Sequence, residues 1–238
     1  MNNKLEQFEI YFDKRYKQKK RLNMCLSVVI IGLCLFSLVY MQNNDKEGLL
    51  IFRWMTVDAT VFTLLSTLFF FAVNIIELMK NTELTRKTIY ISRLSCAVAE
   101  SLIVVTVLVS QLPIFPMHLH ILRPDMFCMH LVIPVLVVLS FTLNDSPYGR
   151  LNRFDTFSGT SFVTFYAVIV LYLISVGVIK REKIPYGFLD IKAMNSFQII
   201  ATIIVFYIVS YGLSHILSEM NRKLYWNWFK RPETTKKN

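Results

Sequence analysis

Six apolar stretches divide the sequence, at about residues 22–41, 54–79, 88–112, 127–143, 159–179 and 197–217. A helix rises about 1.5 Å per residue, so roughly 20 apolar residues cross the hydrocarbon of a bilayer. Lipid offers the backbone no hydrogen-bond partners, so a crossing segment must satisfy its own N–H and C=O groups, as an α-helix does. The expected fold class is therefore all-α, a polytopic membrane protein built as a six-transmembrane-helix bundle. Composition agrees: 54% of the 238 residues are hydrophobic and only 18% charged, with mean hydropathy +0.46. A soluble domain of this size carries more charge. The first apolar run is as long as a full span and has no small-residue cleavage site after it, so it reads as a span and not as a cleaved signal peptide.

Basic residues set the expected orientation. Residues 1–21, the second and fourth loops, and residues 218–238 hold most of the Lys and Arg outside the spans. The positive-inside rule then places both termini in the cytoplasm. Lys180, Arg181 and Lys183, in the fifth loop, run against that sum. The expected organisation is a basic cytoplasmic tail at 1–21, a six-span domain at 22–217 and a second basic tail at 218–238. The net charge of +10 belongs to tails and loops facing anionic lipid, so the expected partners are the bilayer and a lipid or fatty-acyl substrate, not nucleic acid. Protein partners are not legible. Cys25, Cys34, Cys96 and Cys128 all lie in apolar segments without CxxC spacing, which argues against a disulfide framework or a thiolate zinc site.

Alternation then brings three polar features to one membrane face. The stretch Phe52–Thr60 takes Arg53, Thr56 and Asp58 into the second span from outside. His130 enters the fourth span from the same side, with Pro134 four residues on. The loop Pro185–Asp190 lies on that side too. At helical rise, Thr56 and His130 reach similar depth. Ionisable groups at membrane depth are costly and point to function. A threonine hydroxyl becomes a nucleophile only beside a base, and His130 is the base available, with Asp58 or Asp190 to orient its ring. Arg53 offers a planar donor fork to a phosphate or carboxylate.

Each feature has a plainer reading. Thr56 can cap the start of its helix. Arg53 can snorkel to the headgroups. His130 can be an interface histidine beside a proline kink. Glu100, in the middle of the third span, requires a partner on another helix, since Arg93 lies two turns away on its own. His118, His120 and His130, with Asp125 or Asp190, lack the i, i+4 spacing that puts two metal ligands on one helix face, so no metal or other cofactor is expected.

The chain resembles the bacterial six-span relatives of the androgen-inducible membrane proteins, which hydrolyse fatty acid esters of hydroxy fatty acids. The resemblance is carried by Phe52-Arg53-Trp54-Met55-Thr56, by His130-Leu131-Val132-Ile133-Pro134, and by Pro185-Tyr186-Gly187-Phe188-Leu189-Asp190. It implies a membrane-embedded threonine–histidine hydrolase, with those roles on Thr56 and His130, in a bacterial cell membrane. A related family transfers acyl groups between lipids, so it implies hydrolysis or transfer alike. The chain departs from the bacterial pattern at Ala59-Thr60, where Ser-Asn is frequent. No amide donor for an oxyanion follows the threonine here, although Asn74 and Asn195 exist elsewhere. The competing expectation is a non-catalytic small transporter or ligand sensor, with Asn74, Glu77 and Glu100 lining a path across the bundle.

Overall fold

The computed structural model describes residues 2–45, 48–80, 84, 87–111, 122–184, 186, 189–190 and 193–229, with side chains from residue 14 onward except at 49, 110, 111, 228 and 229. Among these the chain is all-helical. In order come α1 (Asn2–Asn44), a 3-10 turn at Gly48–Arg53, α2 (Met55–Lys80) and α3 (Lys87–Thr106), which passes into a π turn at Val107–Gln111. Then follow α4 (Pro124–Asn144), α5 (Arg153–Ser158), α6 (Ser161–Ser175) and α7 (Ser196–Phe229). Stretches within α1, α2, α3, α4 and α7 are long and apolar enough to cross a membrane; α6, at 15 residues, is a shorter apolar helix.

The ends of these helices follow their sequences. Asn152 caps α5 by accepting from the Asp155 N–H at 2.8 Å. Asn195 and Gln198 cap α7 reciprocally, each side chain accepting the other's backbone N–H at 2.9 Å. Gly177, at φ 79°, closes α6: Val178 N–H reaches back to Leu173 O and Gly177 N–H to Ile174 O, a pairing that needs a left-handed residue.

The helices pack around α3, whose Leu94–Val98 segment is fully buried. Gly159, between α5 and α6, lets this packing close: a Cβ there would overlap the Ser214 hydroxyl of α7 and sit 3.0 Å from Leu94.

The core also holds a polar seam. On α2 the buried positions Thr56, Thr60, Thr63, Thr67, Phe70, Asn74 and Glu77 recur at spacings of three and four, the spacing of a helix–helix interface. All but Phe70 are polar. Thr63 donates to Glu100 at 2.6 Å, so the partner of Glu100 stands on a neighbouring helix. Arg93 is fully engaged: Nε donates to Asp145 at 2.9 Å, the terminal nitrogens donate to Ser140 and Thr67, and the guanidinium lies 4.8 Å from the Phe70 ring centroid. Asp145, which the sequence places in a polar turn, is a buried counter-ion. The basic run ahead of the first span also differs from expectation. It is helical and continuous with α1, and Lys19 and Lys20 are buried. Lys20 pairs with Glu77 at 2.5 Å and Lys19 sits over the Tyr225 ring, so these two face protein and not headgroups.

Candidate functional site

His130 sits on irregular helix for a reason legible in the sequence. Pro134 has no N–H, so the carbonyl of residue 130 loses its usual donor. Around it the chain widens into a π turn, Cys128–Val132, in which Ile133 N–H bonds Cys128 O. The start of α4 is fixed independently. Arg123 makes paired hydrogen bonds to Asp45, at the end of α1, and to Asp125. Those carboxylates hold its guanidinium above its usual pKa.

His130 Nδ1 lies 2.8 Å from Met126 O. A carbonyl only accepts, so Nδ1 carries the proton and the lone pair of the neutral ring is on Nε2. That Nε2 faces Thr56 Oγ1 at 3.4 Å. Thr56 is the second residue of α2, and its hydroxyl addresses His130 and the Tyr186 phenol. The Tyr186 oxygen is also within reach of the backbone N–H groups of Met55 and Thr56, and its ring meets Trp54 edge-on at 5.9 Å. Burial pushes the Tyr186 phenol up to about 12. With Nδ1 protonated, the Thr56 O–H is the donor and His130 Nε2 the acceptor.

These groups line a cavity of about 450 Å³ whose other walls are mainly apolar. Leu102 of α3 and Val107 of the π turn after it line one side and Val205 and Phe206 of α7 the other. A second cavity of about 220 Å³ shares Met55, Thr202 and Phe206 with it.

The other expected site residues go elsewhere. Asp190 is bound to Arg181 at 2.9 Å, so the orienting of His130 falls to the Met126 carbonyl and not to a carboxylate. Asp58 projects from the opposite side of α2, into a groove against α6. Arg53 turns back on its own turn, donating to Leu50 O and lying 5.1 Å from the Trp54 ring centroid. It does not line the Thr56 cavity. Asn74 is at the far end of α2 beside Lys20, and Asn195 caps α7, so neither amide meets Thr56. His118 and His120 lie outside the described residues. Among the described residues no three His, Cys, Asp or Glu side chains gather where they could hold a metal ion. Tyr186, Met126 and the N–H groups of α2 are the site's additions. Only Tyr186 left a trace in the sequence, as the tyrosine of the Pro185–Asp190 loop. No family model, no curated protein and no solved structure matches the chain.

Proposed function

We propose that the protein is a membrane-embedded lipid-ester hydrolase or acyltransferase, with six spans and both termini in the cytoplasm. The observation that carries this reading is the Thr56–His130 pair, with a lone pair on the base, lining a mainly apolar cavity. In this mechanism Thr56 Oγ1 attacks the ester carbonyl carbon while His130 Nε2 takes its proton. The carbonyl oxygen becomes an oxyanion, for which the Tyr186 phenol lining the cavity is the donor at hand. The C–O bond to the alcohol breaks, and His130 returns the proton to the leaving oxygen. Water or a lipid hydroxyl, deprotonated by His130, then attacks the acyl-threonine, and Thr56 regains its proton.

The cavity size falls in the usual range for small-molecule sites, and its apolar walls suit an acyl chain. The neighbouring cavity gives an ester's second apolar arm a place. Phe197, Ile200, Ile204 and Ile208 of α7 are exposed, so the helix that walls the cavity presents an apolar face to lipid. The Thr56–His130 distance is slightly long for a hydrogen bond, as is usual without substrate.

The α2 seam favours a second reading, a transporter. Against it, the seam is packed side chain to side chain: Phe70 interrupts it, and Arg93–Asp145 and Lys20–Glu77 neutralise each other in place. A fluorophosphonate probe on purified protein in detergent tests the enzyme reading. Labelling at Thr56 that Thr56→Ala and His130→Ala both abolish, with folding intact, supports it. Equal labelling of Thr56→Ala removes Thr56 as the nucleophile.

A further inference from the structure

We propose a second ligand site, independent of the Thr56 cavity: a groove between α2 and α6 that binds an amphiphilic organic ammonium. The groove has a volume of about 680 Å³ and carries one carboxylate, Asp58. Phe52, Phe62, Phe162, Phe165 and Tyr166 surround it. Phe62 and Phe162 stack at 4.6 Å between centroids, forming a fixed wall, while Phe52 and Phe165 are exposed at 42% and 65%.

Two observations identify the occupant. The first is charge. Every other acidic group considered above has a partner: Asp45 and Asp125 have Arg123, Asp145 has Arg93, Glu77 has Lys20, Asp190 has Arg181, and Glu100 has Thr63. Among the described residues Asp58 makes no ion pair and no side-chain hydrogen bond. Its place in the first turn of α2 supports a negative charge there but leaves the outward side of the carboxylate unmet. The second is the wall. Aromatic faces around a carboxylate attract an alkylated ammonium, which is too weakly hydrated to prefer water. An inorganic cation would instead require several oxygen ligands, and the only other side-chain oxygens lining the groove, those of Ser161 and Tyr166, are engaged with Ser95 and with Arg53 O. From Asp58 the groove continues along α2 to Leu65, two turns further on, past the stacked Phe62 and Phe162. An ammonium at Asp58 would thus lay an alkyl chain along Phe62 and Leu65.

Equilibrium dialysis of radiolabelled dodecyltrimethylammonium against the protein in maltoside micelles, with empty micelles subtracted, tests this. Wild type should bind saturably at one site per chain. Asp58→Asn should weaken binding at least tenfold, and Phe165→Ala, at an exposed position, severalfold. Thr56→Ala should bind as wild type does, which separates this groove from the other cavity. Equal binding by Asp58→Asn, or displacement by 1-dodecanol as effective as by unlabelled ammonium, would overturn the proposal.

Discussion

His130 presents its unprotonated Nε2 to the Thr56 hydroxyl because Met126, one turn earlier on the same helix, holds the proton on the other ring nitrogen. In the proposed ester reaction the pair therefore acts as one unit. Thr56→Ala and His130→Ala should each reduce ester turnover by about a thousandfold, and the double variant should lose little more. Thr56→Ser should retain measurable turnover. Initial rates on a soluble aryl ester, with circular dichroism as the folding control, check this. Additive losses would show that the two side chains do not share a step.

Asp190→Asn should leave turnover near wild type. The carboxylate is paired with an Arg181 side chain that is 66% exposed, so the variant should cost at most about 1 kcal/mol of stability. A turnover loss comparable to that of His130→Ala would put Asp190 back in the site.

Tyr186 makes the protein sensitive to alkali. Its folded pKa, about 12, lies above the ordinary value of 10.0, because burial disfavours the phenolate. Below pH 10 both folded and unfolded states keep the proton. Between pH 10 and 12 the unfolded state loses it first, so stability falls as pH rises. Tyr186→Phe should flatten that part of the curve of denaturation midpoint against pH, and absorbance near 295 nm should show one late-titrating phenol missing.

Asp145→Asn should destabilise the fold by about 3–5 kcal/mol, since it leaves a buried guanidinium without its counter-ion. Replacing Arg93 and Asp145 together with apolar residues should be much milder. Thermal midpoints in detergent for the single and double variants measure the difference.

Gly159→Ala should lower the thermal midpoint as well. The added methyl would displace the Ser214 hydroxyl, which donates to Thr156 O at 2.6 Å, and press on Leu94. Gly159→Ala combined with Ser214→Ala should recover part of the loss. A midpoint unchanged in Gly159→Ala would show that the helices separate freely at this crossing.

The helical architecture was legible in the sequence because lipid leaves a long apolar run few alternatives. Thr56 and His130 were legible too, since alternation of spans fixes depth. What faces what was not. Depth says nothing of rotation about a helix axis, which is why Asp58 was grouped with Thr56 although it points to the other side of α2. The role given to Asp190 fell to a backbone carbonyl, and carbonyls carry no sequence signal. Asp145 read as a turn residue because nothing local marks it as the counter-ion of Arg93. The α2 seam leaves only a faint trace in the sequence: threonines at 56, 60, 63 and 67 keep the spacing of an interface, but threonine passes as neutral in an apolar segment.

That seam fixes alignment as well as contact. Apolar helices in lipid can slide along one another at little cost, because one leucine surface is much like the next. Moving α2 by one turn, about 5.4 Å, would part Glu77 from Lys20 and Thr63 from Glu100 at the same time. It would also carry Thr56 out of reach of His130. The side chains deep in the bundle thus act as registration marks for the pair at its end.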